Sequence, residues 1–304
     1  MPNSPTKETT TVVFTGLAVI AFAANSVLCR LALGESAIDP GSYTAVRLLT
    51  GAITLWLITA FRRNGSFGKY GGSWISAAML FLYAVTFSFA YVSLSAGTGA
   101  LILFAAVQIT MITVGLASGE RPEKLEWLGL LIAISGLIYL VFPGITAPSI
   151  FGSVLMASAG ISWGIYSLRG RGASDPVATT TGNFLRTVPL AVGLILSWLS
   201  TLTITPTGFL WAAVSGSITS GVGYVLWYAA LPRLTATRAA TVQLAPAPLT
   251  ALGGVMVLSE AISLRLVISA LAILGGVGLA ISRRRTVSGS PQPLASVTQS
   301  SSGD

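Results

Sequence analysis

Two arginines and three carboxamides stand inside long apolar stretches of this 304-residue chain: Arg47, Arg186, Asn25, Gln108 and Gln243. In hydrocarbon, polar groups face a bundle interior, a cavity or one another. An arginine can hold a carboxylate, and an amide can orient an ammonium or a carboxylate. Arg47 follows Pro40 by only seven residues, so its long side chain could snorkel outward. Both arginines read as gating or structural charges. The run Gln243-Leu244-Ala245-Pro246-Ala247-Pro248 is the strongest local feature. Each proline lacks an N–H, so the carbonyls of Val242 and Leu244 lose their helical partners. Such carbonyls either find another donor in a neighbouring helix or line a wet cavity that could receive an ammonium group.

The aromatic set adds Phe22, Tyr83, Phe87, Tyr91, Trp163, Tyr166, Tyr224, Trp227 and Tyr228. Tyr83, Phe87 and Tyr91 recur every four residues and share one helix face, as packing or an interface belt would require. Trp163 stands deep in its helix between Gly160 and Gly164, which allow close helix approach or leave room beside the ring. The candidate substrate-binding residues are Asn25, Tyr83, Phe87, Gln108, Trp163, Tyr166, Tyr224, Tyr228, Gln243 and Pro246. The stretch Gly221-Val222-Gly223-Tyr224 has no glycine after its tyrosine, so it reads as a glycine-rich helix and not a potassium filter.

Missing groups exclude other chemistry. There is no histidine and a single cysteine, Cys29, which rules out an internal disulfide and any cysteine or histidine metal cluster. No glycine-rich phosphate loop is present. Lys7, Lys69 and Lys124 fall in loops or tails, so a serine–lysine nucleophile is not available in a span. The sequence calls for no cofactor and no enzyme. No acidic residue lies in a span interior, so a proton relay is hard to build, and facilitated diffusion is expected.

The elements that must position these residues are membrane helices. Hydrophobic residues make up 53% of the chain and charged residues 9%, against about 25% charged in a soluble domain. The expected class is an all-α integral membrane protein with ten transmembrane helices, at roughly 11–33, 40–61, 73–94, 98–118, 125–142, 149–168, 177–199, 208–229, 236–257 and 263–282. Turn chemistry separates them, at Asp39-Pro40-Gly41, Asp175-Pro176 and Pro206 among others. Residues 1–10 read as an N-terminal tail, and 283–304, after Arg283-Arg284-Arg285, as a disordered basic and polar tail. The net charge of +8 reflects basic cytoplasmic loops, not nucleic-acid binding. With the N-terminus cytoplasmic, Lys7, Arg62, Arg63, Lys69, Arg121, Lys124, Arg169, Arg171, Arg233, Arg238 and Arg283 to Arg285 are inside, and only Arg30 and Arg265 outside. Both termini are therefore expected in the cytoplasm. A cleaved signal is the alternative for the first helix, but that helix has a partner in the second half.

That partner belongs to an internal repeat. Sliding the chain by 140 residues sets Ala90, Leu94, Ala100, Ala105, Thr110, Glu120 and Gly136 on Ala230, Leu234, Ala240, Ala245, Thr250, Glu260 and Gly276. The glutamates carry the information, since alanine and leucine align by chance. Near 139, Arg47 meets Arg186. The units are 11–142 and 149–282, each of five helices, and an odd number inverts the second. Inverted repeats with a midplane site are a recurring plan of secondary transporters.

The pattern resembles the drug/metabolite transporter superfamily in its EamA-type ten-helix form. The resemblance rests on Ala117-Ser118-Gly119-Glu120 and Val257-Leu258-Ser259-Glu260 after alanine- and leucine-rich helices, on the glycine-bearing helices Leu128–Leu140 and Ile268–Ala280, and on an arginine in helices two and seven. Within that family the chain looks most like the aromatic amino-acid exporters of the YddG type, through Trp163 and Gln243-Leu244-Ala245-Pro246. This resemblance implies export of aromatic and other apolar amino acids or related metabolites across the inner membrane, by alternating access around a cavity of helices 1, 3, 4, 6, 8 and 9. The expected partners are amino acids and the lipid bilayer, in a monomer or homodimer. The residues alone leave open a different small metabolite or drug, or a channel-like protein.

Overall fold

A computed structural model describes residues 5–34, 36–62, 70–118, 124–142, 147–234, 239–240 and 242–281. They form ten helical runs: α1 Pro5–Gly34, α2 Pro40–Arg62, α3 Trp74–Tyr91, α4 Ala96–Ala117, α5 Lys124–Val141, α6 Ile150–Gly170, α7 Pro176–Ser197, α8 Pro206–Arg233, α9 Pro246–Leu258 and α10 Leu264–Ile281. The first helix begins at Pro5, inside the stretch read as a tail. The tail 283–304 and Glu120 lie outside the described residues. The one isolated β-bridge among them joins Ile38 to Ile204.

The breaks in the sequence are helix starts. Asp39, Ser73, Ser95, Ser149, Asp175 and Thr205 each accept a backbone N–H of the turn that follows, which satisfies donors the helix itself leaves orphaned. Pro40, Pro176 and Pro206 stand at first positions, where a missing N–H costs nothing. Ser95 makes the division between α3 and α4, where only a few residues are available.

Six helices, α1 to α4, α6 and α8, are long and apolar enough to cross a membrane; α5, α9 and α10 hold shorter apolar helices. The helix α7 is long but more polar, and it turns Thr180, Thr181, Asn183 and Thr187 inward, where all are buried. The outer surface is apolar: Phe61, Leu264, Met256, Phe151 and Ile150 are each more than two-thirds exposed. Such a surface is stable against lipid and not against water.

Packing follows the repeat. The α3–α6 contact has its counterpart in α8–α1, α4–α6 in α9–α1, and α2–α8 in α7–α3, while α2–α7, α4–α9 and α5–α10 pair equivalent helices. The α5–α10 pair stands at the side of the bundle, packed chiefly on itself and on α4. The glycines flanking Trp163 serve close approach. A Cβ on Gly160 would run into the Leu103 carbonyl of α4, and one on Gly164 would lie 3.0 Å from the Thr110 side chain. Gly160→Val therefore pushes α6 off α4, and overpacking of this kind costs about 1–3 kcal/mol. A lowered unfolding midpoint in detergent is the expected reading; an unchanged midpoint would show that α6 has slack.

Candidate functional site

The site forms where α1, α2, α3, α6 and α8 cross. In α8 the helix widens into a π-helical segment, Ser215–Val222. Such segments interrupt the regular ladder and recur at functional sites. Gly51 and Gly216 let α2 and α8 meet backbone to backbone, a Cβ on Gly51 falling 3.0 Å from the Gly216 carbonyl. The meeting turns Ser215, Thr219, Ser220 and Tyr224 toward α1 and α2. Ser215 and Thr219 donate to Asn25 Oδ1 at 2.7 and 3.1 Å, and Asn25 Nδ2 donates to the Tyr83 hydroxyl at 3.3 Å.

Arg47 enters this network. Its Nε donates to Ser220 Oγ at 2.9 Å, and its Nη2 to the hydroxyls of Tyr224 at 2.6 Å and Tyr83 at 3.2 Å. It does not snorkel: it is 1% exposed. The distance from Pro40 sets only its height along α2, and the face it occupies is covered by α3 and α8. Its repeat partner does something else. Arg186 Nη1 donates to the carbonyls of Gly71 and Gly182 at 2.8 and 2.7 Å, which braces the lead-in to α3.

Beside Arg47 lies an aromatic cluster with Trp163 at its centre. The Trp163 ring centroid is 4.6 Å from Tyr224, 5.0 Å from Tyr83, 5.3 Å from Phe22 and 5.4 Å from Tyr166. Tyr83 leans on Phe87, Phe87 on Tyr91, and Tyr166 stacks on Tyr228. The Tyr83, Phe87, Tyr91 stripe is thus buried and forms no lipid-interface belt. Phe22, Ser26, Tyr83, Leu103, Phe104 and Trp163 surround a void of only about 10 Å³, room for roughly one water. The packed rings leave no room for a larger molecule.

The double-proline stretch departs from expectation. Residues 239–240 and 242 are helical, 243–245 turn, and α9 starts at Pro246, which is buried. The carbonyls of Val242 and Leu244 are not free, because the N–H groups of Ala245 and Ala247 take them at 3.1 Å each. Three-residue turns thus satisfy locally what the prolines release. The two glutamines hold this break in place. Gln108 Nε2 donates to the Ala240 carbonyl, and Gln243 Oε1 accepts from Trp163 Nε1. Gln243 Nε2 also approaches Met111 Sδ at 3.4 Å.

The structure therefore brings Asn25, Tyr83, Phe87, Trp163, Tyr166, Tyr224, Tyr228 and Arg47 together, with Gln243 joined through Trp163. Gln108 and Pro246 stand at the neighbouring α4–α9 contact, and Arg186 is elsewhere. Sequence reasoning passed over Ser26, Leu103, Phe104, Ser215, Thr219 and Ser220 and left Phe22 out of the site. The serine, threonine and glycine run at 215–221 was the available signal for three of them.

Polar contacts tie helices together at both ends of the bundle. Where α1, α3 and α9 end, Arg30 Nε meets Glu260 Oε1 at 3.2 Å and Arg30 Nη1 donates to the Tyr91 carbonyl at 3.2 Å. Glu260 also accepts the Ala96 N–H through both oxygens, at 3.0 and 2.8 Å. At the other end Arg169 Nε donates to Ser76 Oγ at 3.0 Å, the Ser73 N–H to Asn183 Oδ1 at 3.0 Å, and Thr59 and Thr181 share a bond of 2.8 Å. Among the described residues no group of three His, Cys, Asp or Glu could hold a metal.

Apolar-surfaced helices packed in paired sets about a buried polar and aromatic cluster define a multi-span membrane protein. A profile of the EamA-like transporter family matches the chain twice, over residues 9–142 and again over 150–282. The chain belongs to that family. It is 47% identical over 274 residues to an uncharacterized protein of Pseudomonas aeruginosa, covering 90% of this chain and 95% of that one. It is 25% identical over 241 residues to an uncharacterized transporter of Archaeoglobus fulgidus, covering 74% and 81%. A solved crystal structure superposes with a TM-score of 0.66 at 17% identity, covering 90% of this chain and 97% of that one, a likeness of fold.

Proposed function

We propose that this transporter exports aromatic and other apolar amino acids or closely related metabolites, by alternating access and facilitated diffusion. The observation that carries the substrate class is the placement of Trp163. Its ring touches aromatic rings from α1, α3, α6 and α8, drawn from both halves, with Gln243 as a polar contact at its edge. When the two halves rock apart, these rings become an apolar wall that takes a planar or apolar side chain, while amides and hydroxyls orient the polar head. Asn25, Tyr83, Phe87, Tyr166, Tyr224 and Tyr228 complete the wall; Gln108 and Pro246 support it from the α4–α9 contact. Arg186, which holds backbone carbonyls, is a structural charge in this reading.

The orientation that fits the basic loops puts the protein in the inner membrane with both termini cytoplasmic. The Arg30–Glu260 end is then the periplasmic closure. Without an acidic group or histidine in a span, substrate gradient alone drives movement, outward when the cytoplasmic concentration is high.

The test is counterflow in proteoliposomes loaded with unlabelled L-phenylalanine. Transient accumulation of external labelled L-phenylalanine above equilibrium is expected, with L-tryptophan and L-leucine competing. No counterflow with any of a panel of amino acids would remove the substrate reading. Concentrative uptake driven by an imposed pH gradient alone would remove facilitated diffusion.

A further inference from the structure

Behind Tyr83, which lines the void, stands a permanent positive charge that no acidic side chain among the described residues pairs with. Arg47 is among the largest fully buried side chains. Its guanidinium carries five N–H donors and stays protonated. Nε and Nη2 are used on Ser220, Tyr224 and Tyr83. Nη1 has no hydrogen-bond partner among the described residues. The ion pairs among those residues are Arg30–Glu260 and Arg62–Asp175, both at helix ends. The rings of Tyr83 and Phe87 lie 5.2 and 5.1 Å from the guanidinium carbon. Neutral hydroxyls and ring faces stabilise a cation in part. They do not replace an anion, because a charge taken out of water costs several kcal/mol unless it is paired.

A charge held here with donors idle is half of a pair. We propose that Arg47 is the anion anchor of the transport site and takes the carboxylate of the substrate. This deepens the reading of the aromatic chamber as the transport site and rests on it. Nη1 and Nη2 form the fork that meets a carboxylate with two parallel hydrogen bonds. Of the two bonds Nη2 now makes, the longer goes to the Tyr83 hydroxyl. The ring of Tyr83 also lines the void and leans on Trp163. A carboxylate arriving from the void therefore displaces the Tyr83 hydroxyl, and its apolar side chain lies along Trp163. The repeat partner Arg186 stands elsewhere, at the lead-in to α3, where its Nη1 donates to two backbone carbonyls. Substrate selection then has two parts: an aromatic or apolar body for the rings, and an obligatory carboxylate for Arg47.

The experiment uses the full-length protein purified in detergent and three probes that differ only at the head. L-tryptophan has an ammonium and a carboxylate, indole-3-propionate only the carboxylate, and tryptamine only the ammonium. Binding is read by the shift of the unfolding midpoint over a titration. The two carboxylates are expected to bind, and tryptamine at least about 30-fold more weakly, the loss that follows when a buried charge is left without its partner. Arg47→Gln removes the difference between the probes; Arg47→Lys keeps the charge without the fork and falls between. Equal binding of tryptamine and L-tryptophan by the wild type, or an Arg47→Gln variant that still prefers carboxylates, overturns the anchor and leaves the chamber standing. Binding of indole-3-propionate without L-tryptophan keeps the anchor and removes the amino-acid reading. Failure of all three on the wild type removes both. Should Arg47→Gln not fold, the wild-type series decides alone.

Discussion

Trp163→Ala abolishes counterflow while the protein still inserts into the membrane. The indole joins rings from four helices and donates its N–H to Gln243, which anchors the break before α9. Removing it takes away the wall against which a substrate side chain would rest and leaves the Gln243 acceptor without its donor. Misplacing a bound group by a fraction of its length costs on the order of 100-fold in rate, and a drop at least that large is expected in the initial rate of labelled L-phenylalanine counterflow. Stability also falls, since removing a large aromatic from a packed interior costs about 3–5 kcal/mol. Trp163→Phe separates the two effects. It keeps most of the ring and loses the N–H, so transport should survive at roughly a tenth of the wild-type rate if the missing hydrogen bond is worth about 1.4 kcal/mol in the transport step. Gln243→Ala removes the same bond from the other side and should resemble Trp163→Phe. Wild-type rates in Trp163→Ala would show that the cluster is only packing.

Much of this arrangement was legible in the residues. Asp39-Pro40, Asp175-Pro176 and Thr205-Pro206 each combine a side chain that caps a helix with a proline that can only begin one, so helix starts could be read locally. The repeat was legible through Glu120 and Glu260, because an acidic residue in the short break after a long apolar helix is a rarer match than alanine on alanine. Its consequences for side chains were not. Arg47 and Arg186 occupy equivalent places, yet one bonds Ser220, Tyr83 and Tyr224 beside the aromatic cluster and the other holds backbone carbonyls. The repeat fixes helix and height, while the neighbours that meet each face differ between halves. Hydropathy likewise carries no sign of the π-helical segment at Ser215–Val222, since hydrogen-bond register leaves average apolarity unchanged. The prolines of α9 misled for a related reason: a missing N–H shows which carbonyl is released, not that a three-residue turn can take it back.

The closure at Arg30 and Glu260 offers a reporter built into the chain. Ser259 adopts a left-handed conformation, φ 52°, and the Glu260 N–H closes back on the Gly254 carbonyl at 3.1 Å. That turn aims the carboxylate at the start of α4, where it accepts the Ala96 N–H, and at Arg30 of α1. A carboxylate at a helix N-terminus is well placed, and here it ties the second half of the molecule to the first. Next to Arg30 in the chain is the single cysteine, Cys29, free of any disulfide and 0% exposed, with Tyr43 of α2 and Ser88 of α3 beside its thiol. Opening of this end of the bundle is expected to make Cys29 reachable from that side. Glu260→Gln keeps the shape and removes the charge, weakening hydrogen bonds to charged groups that are worth about 1.5–3 kcal/mol. The lower end of that range is roughly a tenfold shift toward the open form. Labelling of Cys29 by a membrane-impermeant maleimide should therefore be about tenfold faster in Glu260→Gln than in the wild type, with Cys29→Ala as the blank. Arg30→Gln should speed it less, because the Ala96 contacts survive. The double variant should fall short of the sum of the two single effects, since both act through one pair. Equal labelling rates in wild type and Glu260→Gln would mean that this contact does not hold the bundle shut.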